Sequence, residues 1–205
     1  MILLSFTAVF CADPKFCSKD VMIHDLTQTS PWLRRWIGTI VPGGRVLDLA
    51  CGSGRHTRLL LAEGYPTLSV DRDISGVEDL RGQGGCELLQ ADLEKGSWPI
   101  GINAFAGIVV TNYLYRPNFP HLLAALKPGG ILIYETFAEG NGEFGRPSNA
   151  DFLLRPGELL AMVNGSARVI AFEDVYIDVP KPALVQRICA VKNGGPPRYF
   201  RPCVN

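Results

Sequence analysis

Two glycines and three aspartates are spaced so that they can act together on one ligand. The segment Val46-Leu47-Asp48-Leu49-Ala50-Cys51-Gly52-Ser53-Gly54-Arg55-His56-Thr57 runs from an apolar strand through a tight turn into a helix. Gly52 and Gly54 allow left-handed backbone angles and close approach of a ligand to the main chain. The helix start that follows offers free N–H groups and partial positive charge, which suit a carboxylate. Asp48, at the strand end, can meet an ammonium or order the loop amides. A ligand with an amino-acid end fits this pair.

The second acid is Asp71, directly after the apolar run Leu68-Ser69-Val70. A carboxylate at the end of a second strand can accept both hydroxyls of a ribose. Asp73 suits the cap of the next helix. The third is Asp92 in Leu89-Gln90-Ala91-Asp92-Leu93, where an acceptor can take the exocyclic amine of adenine or simply form a turn. A dinucleotide is a competing ligand for such a glycine turn. That turn needs a third small residue where this chain has Thr57, and an acid at Asp48 would repel a pyrophosphate.

These positions need a scaffold that brings strand ends to one rim, and the hydrophobic pattern supplies it. Ser30-Pro31-Trp32 reads as an N-cap followed by a helix, with Trp32, Leu33, Trp36, Ile37 and Ile40 at helical spacing. Strands follow at 45–49, 66–70, 87–90, 105–111 and 131–137, alternating with helices at 55–63, 75–81 and 119–126. Lys127-Pro128-Gly129-Gly130 reads as a turn before the fifth strand. Alternating strands and helices imply a mainly parallel sheet covered on both faces. A helix from Pro156 to Val163 precedes two further strands, 168–176 and 185–192. The linker between these, Ile177 to Leu184, is too short for a crossover helix, so they form an antiparallel hairpin. The expected fold is α/β: a Rossmann-like, doubly wound, mainly parallel seven-stranded sheet ending in an antiparallel hairpin, with helices on both faces.

The ordered set Asp48-Leu-Ala-Cys-Gly-Ser-Gly, Asp71, Ala91-Asp92, Val109-Val110-Thr111-Asn112-Tyr113 and Leu126-Lys-Pro-Gly-Gly-Ile-Leu-Ile resembles the motifs of class I S-adenosylmethionine methyltransferases. Within that superfamily it is most similar to bacterial small-molecule enzymes of the tellurite-resistance-like type. The resemblance covers roughly Trp32 to Val191 and departs from the common pattern at Ala50, where many members have glycine. It implies S-adenosylmethionine as cofactor. Asp48, Ala50, Gly52 and Gly54 would hold its methionine end, Asp71 its ribose, and Arg72, Ala91 and Asp92 its adenine, with Thr111 closing the pocket. All of these lie at carboxyl ends of strands, where open α/β sheets bind ligands.

On the acceptor side, Asn112 and Tyr113 follow the fourth strand, and the prolines of the Asn-Pro-Pro-Tyr motif of amino-group methyltransferases are missing. Tyr113 either orients an acceptor or packs. The polar, glycine-rich stretch from Ala138 to Asn149 reads as a lid, with Arg146 as the residue to hold an anionic acceptor. His56 and His121 have no partners visible in sequence and are read as structural or exposed. No catalytic residue is assigned.

Acidic and basic residues number 20 each, so the chain has no broad electrostatic footprint for nucleic acid or an anionic membrane. A small-molecule acceptor is the expected partner. Six cysteines, none spaced C-x2-C, and three isolated histidines give no metal site and suggest reduced thiols in a cytoplasm. Residues 1–29 are expected to be a flexible extension, dispensable up to Met22. Residues 30–192 form the methyltransferase domain, and 193–205 an irregular tail. The competing reading is a methyltransferase fold without catalysis, serving as a sensor or scaffold.

Overall fold

The computed structural model describes residues 29–196 and residue 200. The expected extension lies outside the described residues apart from Thr29, as does the tail beyond residue 196 apart from Phe200. The elements are α1 (Pro31–Trp36), β1 (Val46–Leu49), α2 (Arg55–Ala62), β2 (Thr67–Asp71), β3 (Cys86–Gln90), β4 (Phe105–Thr111), α3 (Phe119–Ala125), β5 (Leu126–Phe137), α4 (Glu158–Val163), β6 (Ala167–Ile177) and β7 (Ala183–Lys192). Seven strands form one sheet in the order β3-β2-β1-β4-β5-β7-β6. The first five are parallel, and β7 enters antiparallel between β5 and β6.

Period-two alternation along the central strands builds two cores. Leu47, Leu49, Ile108, Val110, Leu132, Tyr134 and Ile188 face α3 and α4. Val46, Val109, Ile131, Ile133 and Cys189 face α1 and α2. Burial on both faces explains why these strands read as continuous apolar runs. The strand order reverses at β1 and β4, so their carboxyl ends open a crevice.

Ser30 starts α1 as its pattern implies: its Oγ accepts from the backbone N–H groups of Trp32 (3.1 Å) and Leu33 (3.2 Å). Three local details differ from the sequence pattern. The helix expected over 75–81 is a 3-10 turn, Ser75–Leu80. Its backbone lies against the glycine turn, where a Cβ on Gly76 would come within 2.9 Å of Ser53 Cα. The helix expected from Trp32 to Ile40 is α-helical only to Trp36 and continues as a 3-10 turn, Ile37–Thr39. The turn Lys127–Gly130 is contained within β5, as an irregularity opposite Phe105 and Gly107. Among the described residues, no helix is long and apolar enough to cross a membrane.

Candidate functional site

A cleft of about 600 Å³ opens at the carboxyl ends of the strands, a normal size for a cofactor-sized ligand. Ala50 stands on its wall after β1, Asp71 and Arg72 at the end of β2, Ala91 and Asp92 after β3, and Asn112 and Tyr113 after β4. The far side is formed by Thr136, Phe137, Pro147 and Phe152. Thus strand-end residues far apart in sequence share one wall.

The turn between β1 and α2 is built for close approach. Gly52 has φ +53°, and a Cβ there would meet nothing within 4 Å, so the backbone borders open space. Gly54 has φ +76° and caps α2; a Cβ on it would come within 2.3 Å of Val77 Cγ1. Ala50 also takes a left-handed angle, φ 56°. Arg58 holds the turn from behind, donating from Nη1 to the Ser53 carbonyl at 2.6 Å and from Nη2 to both Asp79 oxygens (2.7 and 2.9 Å).

Asp71 joins two of the expected groups. Its Oδ2 accepts from the Gly52 N–H at 2.9 Å, and its Oδ1 accepts from the Asp73 N–H at 3.1 Å. An ionised carboxylate offers about four lone-pair sites, so two remain for ligand hydroxyls. The Ala91 N–H donates to the Asp71 carbonyl, which brings Ala91 and Asp92 alongside. Asp92 Oδ1 accepts from the Glu94 N–H at 3.0 Å, a turn-forming bond that leaves the residue on the cleft wall.

Asp48 is placed differently from its neighbours. Strand alternation turns it beneath α2, where it is 1% exposed and Thr57 Oγ1 donates to its Oδ2 at 2.7 Å. Ser69, its register partner on β2, contacts Thr57 Oγ1 at 2.8 Å. Because Thr57 gives its proton to Asp48, Ser69 donates to Thr57. Burial pushes the Asp48 carboxyl up to about 7, against the lowering effect of the Thr57 bonds. Asp48 therefore ties β1 to α2 from behind the turn, with no place on the cleft wall. Thr57, where a dinucleotide turn needs its third small residue, is the other half of this tie.

Thr111 is half-buried at the end of β4, and its Oγ1 lies 3.1 Å from His56 Nδ1. Asn112, with φ 56°, takes the wall position next to it. The Tyr113 ring lines the cleft, while its hydroxyl is buried away from solvent. Arg146 is exposed and off the cleft wall; the neighbouring Pro147 is the residue on it. Asn141 anchors the loop that carries them: its Nδ2 donates to the Pro147 carbonyl (3.0 Å), and its Oδ1 accepts from the Leu184 N–H (3.2 Å). Phe144 packs on Tyr176 of β6 with ring centroids 5.1 Å apart.

Sequence reasoning missed the part played by His56. It is 2% exposed, and its Nε2 accepts from the Ser30 N–H at 3.1 Å. Nδ1 therefore carries the ring proton and donates to Thr111 Oγ1. Burial first, then the Arg55 and Arg34 charges, lower its pKa to about 3. Ser30 Oγ continues the chain by donating to Glu135 Oε1 at 2.9 Å. No local motif links residues 30, 56, 111 and 135. Phe137 and Phe152 were missed for the same reason.

No family model matches the chain. A curated relative, the tRNA U34 carboxymethyltransferase of Methylococcus capsulatus, is 34% identical over 143 residues, covering 60% of this chain and 43% of the relative. The chain thus spans less than half the length of that protein. Among solved structures, Burkholderia thailandensis 1,6-didemethyltoxoflavin-N1-methyltransferase, with bound 1,6-didemethyltoxoflavin and S-adenosylhomocysteine, superposes with a TM-score of 0.61. It is 17% identical, over 86% of this chain and 80% of that one. TehB from Haemophilus influenzae gives 0.63 at 16% identity, over 77% of this chain and 60% of that one. The fold is that of class I S-adenosylmethionine-dependent methyltransferases, as the motif resemblance implied.

Proposed function

We propose that the chain is an S-adenosylmethionine-dependent methyltransferase acting on a small-molecule acceptor. The observation that carries this reading is the shared wall of the cleft, where Ala50, Asp71, Arg72, Ala91, Asp92 and Asn112 meet from four successive strand ends. The cleft fits the cofactor on three counts. Its volume is that of a cofactor site, Gly52, hydrogen-bonded to Asp71 of its wall, presents backbone without a side chain beside it, and Asp71 retains lone pairs for ribose hydroxyls.

The bound cofactor would supply a methyl carbon already activated by a sulfonium. The protein's work is then to bind, orient and exclude water. The backbone from Ala50 to Gly54, ordered by Arg58 and Asp71, receives the amino-acid end. Asp71 takes the ribose, and Arg72, Ala91 and Asp92 border the adenine. Asn112, whose left-handed backbone places it on the cleft wall after β4, would border the bound cofactor. His56 is unsuited to be a base, since its free nitrogen lone pair is taken by the Ser30 N–H.

The curated relative acts, by its name, on tRNA. This chain's equal counts of acidic and basic residues favour a small acceptor instead. Calorimetry with S-adenosylhomocysteine tests the cofactor reading: wild type should bind it and not NAD. Asp71→Ala should weaken binding by about 1–3 kcal/mol, the effect of leaving buried hydroxyls unpaired. Undiminished binding in that variant overturns the site. Methyl incorporation from labelled cofactor into a metabolite extract, but not into total tRNA, tests the acceptor class, and absence of turnover with any acceptor favours a sensor or scaffold.

A further inference from the structure

Behind Asn112 and Phe137 lies a second cavity that the cofactor reading leaves unused. It is about 100 Å³ and shares those two residues with the cleft. The start of α1, the end of β5 and the tip of the β6–β7 hairpin enclose it, with Ser30, Glu135, Val185, Arg187 and Lys181 on its walls.

Its charges follow from register. Glu135, Arg187 and Glu173 stand side by side on β5, β7 and β6. Arg187 donates from Nε to Glu173 Oε2 at 2.8 Å, and its Nη1 reaches Glu135 Oε2 at 3.3 Å. Arg35 also contacts Glu173 at 3.3 Å. Glu135 is further satisfied by the Ser30 hydroxyl. Both carboxylates are thus matched by the two arginines. Lys181, exposed at the hairpin tip, adds a positive charge that no ion pair among the described residues offsets. The wall also carries Arg55, Thr29 and Asn112, and is otherwise apolar, with Phe137, Ile177 and Val185 among it.

We infer that this cavity takes a compact organic anion with an apolar body, held by Lys181 and Arg187, and that this anion is the methyl acceptor; the second part rests on the methyltransferase reading. An apolar cavity of about 150 Å³ holds benzene; at about 100 Å³ this one encloses part of a single ring, the rest of the molecule extending through its mouth. The shared Asn112–Phe137 wall sets such an acceptor beside the cleft. A lone pair on the acceptor forms the bond to the methyl carbon as the carbon–sulfur bond breaks, its electron pair passing to sulfur. An anionic oxygen acceptor loses no proton, whereas an N–H or O–H acceptor releases one to water. The anion-holding role expected of Arg146 falls to Lys181 and Arg187.

The test uses benzoate, benzyl alcohol and benzylamine as probes, titrated by NMR at constant ionic strength with saturating S-adenosylhomocysteine. Benzoate should bind at least tenfold more tightly than either other probe. Lys181→Ala should weaken benzoate about tenfold, as loss of a charge-assisted contact does, and Lys181→Arg should restore it. S-adenosylhomocysteine affinity should be the same in all three proteins. Equal binding of the three probes, or unchanged benzoate affinity in Lys181→Ala, overturns the proposal. Benzoate bound to a protein that fails to bind S-adenosylhomocysteine upholds the anion site and overturns its role as an acceptor site.

Discussion

The imidazole Nε2 of His56 accepts a hydrogen bond from the backbone N–H of Ser30, 3.1 Å away and 26 residues earlier. This bond fixes the ring's tautomer and joins the start of α1 to the glycine turn's helix. Through Thr111 on one side and Glu135 on the other, it connects the end of β4 to the end of β5.

A histidine so placed stays neutral. Its folded-state pKa, about 3, lies below the ordinary value near 6.5. Its contribution to stability is therefore present above pH 6.5 and is lost as pH falls from there toward 3. Long-range proton–nitrogen NMR should show protonated Nδ1 and no titration between pH 8 and 5. A ring that titrates near 6.5 contradicts the buried arrangement.

Asp48 has the opposite dependence. Its folded-state pKa of about 7 lies above the unfolded value near 3.9, so the protonated form is favoured on folding. The resulting stabilisation is complete below pH 4 and is lost as pH rises to about 7. Asp48→Asn keeps an acceptor for Thr57 and removes the charge. Wild-type stability relative to this variant should fall between pH 4 and 7, by on the order of 4 kcal/mol between plateaus, and stay level above pH 7. Denaturant unfolding across that range checks it; a constant difference refutes it.

Ala50 takes a left-handed backbone, φ 56°, on the cleft wall. That conformation costs an L-residue roughly 1–2 kcal/mol, partly offset by the entropy glycine loses on folding. Ala50→Gly should therefore raise stability by about 0.5–1 kcal/mol. Ala50→Val should lower it, because a β-branched side chain tolerates this region least. Thermal unfolding of the two variants decides the matter, and a more stable valine variant would show that the backbone relaxes.

Arg116 holds the segment that carries Phe152. Its Nη1 donates to the Asp151 carbonyl and its Nη2 to the Leu153 carbonyl, both at 2.8 Å, and it forms a two-point ion pair with Glu158. A third of its side chain is exposed, which weakens the charge component. Arg116→Ala should cost about 1–2 kcal/mol. Hydrogen exchange should quicken across residues 150–158 while β4 keeps its protection. Unchanged exchange there would mean the segment is held by packing alone.

The alternation of apolar runs with helical spacing determined the strand succession, and the short proline-containing link determined the closing hairpin. Both are local signals, and the sheet follows them. Asp71, Ala91 and Asp92 were legible as strand-end residues because a parallel sheet gathers such ends on one rim. Side-chain direction was not legible in the same way. Asp48 lies a few residues from the glycines in sequence, yet strand parity points it under α2 at Thr57, which Ser69 also contacts, and no spacing announces this. His56 looked solitary because its partners, Ser30 and Thr111, come from other elements. The second cavity depends on β7 lying between β5 and β6, which sets Glu135, Arg187 and Glu173 in one row. Sequence records the chemistry each residue carries, while contacts between distant residues exist only once the strands take their order and register.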